Sequence, residues 1–117
     1  MRGVIEMKLI FAVVHAEDAK GAAKELNKKN FGVTKLSSSG GFLRKDNCTL
    51  MIGTEDDNVQ DVMDILKETC AKREEVEIVT PYLSEGMQIP NYAYTPIKVE
   101  AGGAIVFVVD VAEFWKI

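Results

Sequence analysis

The alternation of hydrophobic and polar residues predicts strands and helices that follow one another along the chain. Short apolar runs predict strands at residues 7–15, 33–36, 49–54, 76–80, 97–100 and 104–110. Apolar residues at helical spacing predict one helix around Ala19 to Leu26 and a second around Val59 to Cys70. This order, β-α-β-β-α-β with an extra strand, predicts an α+β, ferredoxin-like fold with two helices on one face of an antiparallel sheet.

The first predicted strand is apolar on both faces. Alternate side chains of a strand point to opposite sides, and both sets are hydrophobic here: Leu9, Phe11 and Val13 on one side, Ile10, Ala12 and Val14 on the other. Both faces of this strand should therefore be buried. Because two helices cover only one face of the sheet, we expect identical subunits to cover the other, which predicts a homo-oligomer.

The ends of the helices and one long loop also leave signals. We expect Asp18 to cap the first helix, and Thr54 or Asp57 to cap the second. Residues 82–95 should form a loop, because all three prolines lie in it or beside it. Its three tyrosines suit a surface for an unknown downstream protein, or equally a loop pinned onto the domain.

Length and charge narrow the possible partners. The chain has 117 residues, which predicts a single domain over 1–117. Its net charge is −4, which argues against binding to a nucleic acid polymer. Seven of its 14 basic residues nevertheless lie within 20–45, beside a single acid, Glu25. This pattern favours a small anionic ligand, although a solvated helix face with a basic last turn by itself explains the first four lysines.

The remaining sequence features predict which sites and activities are absent. No apolar run approaches the roughly 18 residues of a membrane span, so we expect a cytoplasmic protein without a membrane partner. Cys48 and Cys70 should then stay reduced. The single histidine, His15, has no cysteine or carboxylate at metal-ligand spacing, and we expect it to be a polar strand end. No catalytic constellation is present, so we expect neither enzymatic activity nor a metal or cofactor.

A glycine loop concentrates the candidate binding chemistry. Gly40 and Gly41 allow backbone N–H groups to converge on an anion. Phe42 follows them and can stack on a base, and Leu43 offers apolar contact beside it. Arg44 can neutralise a phosphate. The loop therefore provides for both a base and a phosphate.

The residues that flank this loop extend the candidate site. Thr34 and Asn47 can read the hydrogen-bonding edge of a base, since an amide pairs one donor and one acceptor with adenine. Lys35 can neutralise a phosphate. The sequence from Asn30 to Asn47 thus predicts a nucleotide site.

This stretch resembles the cyclic di-AMP receptor proteins, a branch of the PII-like signal transducers. The similarity extends from Met7 and includes Thr34-Lys35-Leu36, Gly40-Gly41-Phe42-Leu43-Arg44 and Gly102-Gly103-Ala104. It implies a homotrimer that binds cyclic di-AMP between subunits and responds by loop rearrangement. By position, Asn30, Thr34, Asn47 and the backbone of Gly53 would contact one adenine. Gly41, Phe42 and Leu43 would line the ligand from the loop.

Departures from the family pattern leave alternatives open. Gly32 stands where family members usually carry an arginine, and Asp46 stands where glycine is usual. Loss of the arginine would weaken the binding of cyclic di-AMP or change the identity of the ligand. A sensor of ATP, ADP or another cyclic dinucleotide is therefore the second hypothesis, and an interaction module without a ligand is the third. Residues 1–6 precede the usual family start and are either the product of an alternative start codon or an extended strand, which leaves both Met1 and Met7 as candidates for the true start.

Overall fold

The protein contains six strands and two α-helices within the residues that the structure describes. A computed structural model describes residues 6–38, 46–79 and 95–117. The elements in chain order are β1 (Met7–His15), α1 (Ala16–Lys28), β2 (Val33–Ser38), β3 (Asn47–Glu55), a 3-10 turn (Asp56–Asn58), α2 (Val59–Cys70), β4 (Arg73–Val79), β5 (Thr95–Ala101) and β6 (Ala104–Val111). They form two compact units: β4 with β5, and all the other elements together. The single domain over 1–117 stays a prediction.

The larger unit is built on a four-stranded antiparallel sheet with the order β2-β3-β1-β6. Both α-helices pack on one face of it. The buried core between helices and sheet consists of Ile10, Ala12 and Val14 of β1, Leu50 and Ile52 of β3, Ala19, Ala22 and Leu26 of α1, and Val62, Leu66 and Cys70 of α2. The alanines of α1 allow this helix to approach the sheet closely. The predicted α+β architecture is confirmed.

The fourth strand of the sheet is not the strand that directly follows α2. That strand, β4, pairs with β5 in a separate two-stranded sheet. The place beside β1 belongs to β6. The composition of the strands explains this choice, since β4 reads Arg-Glu-Glu-Val-Glu-Ile-Val and β6 reads Ala-Ile-Val-Phe-Val-Val-Asp-Val. Pairing β6 with the apolar β1 buries far more hydrophobic surface.

The bend before β6 follows the sequence expectation. Gly102 and Gly103 have φ angles of 77° and 94°, a backbone region that glycine enters without a steric penalty. These two residues separate β5 from β6, and the Gly103 backbone N–H donates a hydrogen bond to the carbonyl oxygen of Cys70. The predicted bend is confirmed.

The first helix begins earlier than its predicted cap. α1 starts at Ala16 with His15 at the N-cap position, and Asp18 lies buried in the first turn. The expectation that Asp18 caps this helix was therefore wrong. The Ala16 backbone N–H donates to the carbonyl oxygen of Asp46 at 2.9 Å, which holds the chain in place directly after β1. The helix consequently forms without a linker.

Gly21 lowers the stability of α1 and can be replaced without a steric clash. It lies in the interior of the helix, is exposed, and a Cβ added there would meet no atom within 4 Å. Gly21→Ala should therefore raise the free energy of unfolding by about 0.5–1 kcal/mol, because alanine loses less backbone entropy on folding. Thermal unfolding followed by circular dichroism measures the gain. Gly32→Ala is the control, since its Cβ also meets nothing but lies outside any helix; an equal gain there would contradict the helix explanation.

The sheet face turned away from the helices is called the open face here. It carries apolar side chains from all four strands. Phe107 is 45% exposed, Val109 44% and Leu36 40%, whereas Val13 is only 6% exposed. Leu9 and Phe11 are half-buried. The expected burial of both faces of β1 is therefore only partly reached within one chain.

Candidate functional site

A cavity of about 1060 Å³ lies in the larger unit, beside the ends of β1, β3 and β6. Two residues of the sequence-predicted site, Asn30 and Gly53, both line it. Phe31, Ile65 and Phe114 add apolar walls. The structure thus brings together two residues that lie 23 positions apart in the sequence.

Local backbone geometry places both of these residues at the cavity. Asn30 follows α1 with φ 67°, a left-handed conformation that asparagine tolerates better than most residues. The backbone N–H groups of Asn30 and Phe31 donate to carbonyl oxygens in the last turn of α1, which ends the helix there. Gly53 is exposed on β3, and a Cβ at this position would meet no atom within 4 Å. The missing side chain leaves room for a flat group against the strand.

The charges around this cavity are mostly negative. Its carboxylates come from Glu55, Asp61, Asp64, Glu68 and Glu113. Lys29 is the lone basic residue of its described lining. Such a lining repels phosphate and suits the uncharged base of a ligand, or hydrogen-bond donors on it.

The open face carries further residues of the predicted site. Thr34 pairs with Met51, and Asn47 pairs with both Ser38 and His15. By this register Thr34, Asn47 and Gly53 point to the same side of the sheet. Lys35 pairs with Leu50 and points to the opposite side, at the exposed edge strand β2. Three of the predicted residues therefore share one surface, and Lys35 does not.

Distance along β3 separates these residues. Asn47 and Gly53 are six positions apart at opposite ends of the strand, which places them about 20 Å from each other. A single adenine is much shorter than this distance. Within one chain, one base therefore cannot touch both residues. Gly41, Phe42, Leu43 and Arg44 lie outside the described residues, as does the expected loop up to residue 94.

An ion-pair cluster fixes the strand ends next to the cavity. Lys8 Nζ donates a hydrogen bond to Asp110 on β6 and lies 3.9 Å from a carboxylate oxygen of Asp56. The hydrogen bond to Asp110, with attraction from the Asp110, Asp56 and Glu6 carboxylates, raises the pKa of Lys8 above its usual value. The Asp56 backbone N–H also donates to the carbonyl oxygen of Glu6. These contacts tie β1, β6 and the 3-10 turn together.

Comparison with known proteins identifies the family. The family model described as "Cyclic-di-AMP receptor" matches residues 7–117. The chain belongs to the cyclic-di-AMP receptor family. A solved protein of unknown function from Pediococcus pentosaceus is 37% identical, with a TM-score of 0.77 over 97% of this chain and 100% of that one.

A second solved structure relates the fold of this cyclic-di-AMP receptor family member to the PII proteins. The GlnK–ATP complex of B. subtilis is 14% identical, with a TM-score of 0.56 over 92% of this chain and 83% of that one. At this identity the likeness concerns the fold alone. The predicted PII-like architecture is confirmed.

Sequence reasoning missed part of the cavity of this receptor family member. Asp61, Asp64 and Glu68 follow one another at the i, i+3 and i+7 spacing that places them on one face of α2, and this spacing is readable in the sequence. Phe114 had no such signal, because it follows the last strand. Among the described residues no three metal-ligating side chains cluster. In the same part of the chain, no helix is long and apolar enough to cross a membrane.

Proposed function

We propose that this protein is a cytoplasmic signalling receptor that binds cyclic di-AMP between the subunits of a homotrimer. Ligand binding rearranges loops and thereby alters contact with a downstream protein, and the chain performs no catalysis. The match of the receptor family model over residues 7–117 carries the proposal. The arrangement of the described residues supports it in three ways.

The first support is the span of the predicted ligand residues. Asn30 and Gly53 line the large cavity at one end of β3, whereas Asn47 lies about 20 Å away at the other end. A site that uses both ends is incomplete in one chain. It becomes compact when one subunit supplies the cavity end and its neighbour supplies the Asn47 end with Phe42.

The second support is the open face. Phe107, Val109 and Leu36 are each 40–45% exposed on this face of the sheet. Exposed apolar side chains on one face of a sheet are typical of a protein interface. Three copies that meet through their open faces bury these side chains and bring the strand ends of neighbours together.

The third support is the charge of the cavity. The described lining around Gly53 holds five carboxylates and one lysine, so it suits an adenine rather than a phosphate. A base of the ligand would enter this cavity, and the phosphates would lie outside it.

The ligand identity is tested by titration calorimetry. Wild-type protein should bind about one cyclic di-AMP per subunit, and it should sediment as a trimer. Phe42→Ala should bind about 5- to 100-fold more weakly, because base–aromatic stacking contributes about 1–3 kcal/mol. Val76→Ala is the control, since Val76 is a 66% exposed apolar residue of β4 and is not one of the predicted site residues.

Two results would separate the alternatives. Absence of heat with cyclic di-AMP at about 100 µM, equivalent to about −5.5 kcal/mol, would refute the proposal. Heat with ATP, ADP or another cyclic dinucleotide instead would favour the second hypothesis, which the exposed Gly32 in place of an arginine motivates.

A further inference from the structure

His15 occupies a position that the proposed site does not yet use. It ends β1, pairs with Asn47 across the ladder, and by this register points to the same side of the sheet as Asn47. Only 9% of its surface is exposed. The histidine therefore lies next to a predicted base-reading residue, beside the strand that follows the glycine loop.

The buried ring of His15 has an unsatisfied nitrogen. Its Nδ1 is buried and has no hydrogen-bond partner among the described residues. His15 is the N-cap residue of α1, but its side chain makes no capping hydrogen bond. A buried polar atom left unpaired destabilises the fold, and most such atoms in proteins are paired. An unpaired nitrogen at this position therefore suggests a partner that binds from outside.

The space beside the ring indicates the chemistry of that partner. His15, Ala16, Glu17 and Asp46 line a cavity of about 400 Å³. The Ala16 backbone N–H at the start of α1 is already used by the carbonyl oxygen of Asp46. Glu17 and Asp46 contribute carboxylates, which accept hydrogen bonds and repel phosphate. The described part of the lining therefore favours an uncharged group that donates hydrogen bonds.

We propose that His15 determines base specificity, with Nδ1 accepting a hydrogen bond from the exocyclic amino group of a bound adenine. This inference rests on the proposed function, because it assigns a residue to the same nucleotide site. In neutral imidazole one nitrogen accepts, so Nδ1 takes this role when Nε2 carries the proton. An inosine base presents a carbonyl oxygen in place of the amino group and would leave Nδ1 unpaired.

Base discrimination by variants tests the role. Wild-type protein should bind cyclic di-AMP about 10- to 100-fold more tightly than cyclic di-IMP, since the analogue leaves a buried acceptor without its donor. His15→Leu should lower this ratio below about threefold. Its melting temperature without ligand should equal or exceed that of wild type, because an unpaired buried polar atom is removed. His15→Asn should keep most of the discrimination, because its amide oxygen can replace Nδ1.

A spectroscopic test uses the unmodified protein. His15 is the only histidine, so ¹⁵N-histidine labelling gives one pair of ring resonances. The Nδ1 resonance should shift with cyclic di-AMP and change far less with cyclic di-IMP. An unchanged Nδ1 resonance, or a His15→Leu variant with wild-type discrimination, would overturn the role of His15 while leaving the proposed function intact. Failure of wild-type protein to bind any nucleotide would overturn both.

Discussion

Val109→Glu is expected to dissociate the proposed trimer and to abolish the proposed cyclic di-AMP binding. Val109 is 44% exposed on the open face, where it pairs with Leu9. Three copies that meet through this face would bury three added carboxylates among apolar side chains. Burial of an unpaired charge costs several kcal/mol for each ion. This cost is larger than the free energy lost when one valine contact is removed from the interface. Sedimentation equilibrium should report a monomer.

The neighbouring residue provides a matched control for this prediction. Val108 is also a valine of β6 and is 47% exposed, but it pairs with the core residue Ile10 and so points to the opposite face. Val108→Glu adds the same charge at the same strand and exposure. It should leave the trimer and ligand affinity close to wild type. Equal dissociation by both variants would show that the charge acts through the strand itself and not through the open face.

Gly32→Arg is expected to raise the affinity for cyclic di-AMP by about 10- to 100-fold. Gly32 is exposed, its φ is not left-handed, and a Cβ there would meet no atom within 4 Å, so the fold accepts a side chain. It directly follows Asn30 and Phe31, which line the large cavity. A guanidinium that reaches a ligand phosphate forms charge-assisted hydrogen bonds worth about 1.5–3 kcal/mol.

Calorimetry at two salt concentrations checks this gain. Gly32→Gln is the control, because glutamine is long and polar but carries no charge. The gain from arginine should shrink as salt increases, since exposed charges are screened. An affinity of Gly32→Arg equal to that of Gly32→Gln would mean that the arginine pairs with the cavity carboxylates, or that the ligand phosphates lie elsewhere.

The sequence predicted the elements of the fold but left the pairing of the strands open. The apolar runs located β1, β3 and β6, because strands in a buried sheet need continuous hydrophobic residues. The same runs do not show which strand takes the fourth place in the sheet. That place depends on tertiary competition, in which the apolar β6 pairs with β1 and the charged β4 does not. Secondary-structure propensity along the chain does not reveal this competition between strands.

The residues of the candidate site also differ in how far the sequence could predict them. Asn30 and Gly53 could be named from the resemblance, and they do line one cavity. The shared face of the α2 carboxylates is readable from their spacing, but their place at this cavity and the unpaired Nδ1 of His15 depend on which surfaces meet in three dimensions. His15 was expected to be a simple polar strand end. Burial is what distinguishes it from one.

The length of β3 has a consequence for communication within the assembly. In the proposed trimer each copy of this strand touches one nucleotide near Gly53 and a different nucleotide near Asn47. A strand that is hydrogen-bonded to neighbours on both sides resists stretching and bending. It therefore forms a rigid link between the two nucleotide sites. Nucleotide binding at one subunit interface then changes the affinity of the next interface. The sites of the proposed trimer should therefore not fill independently.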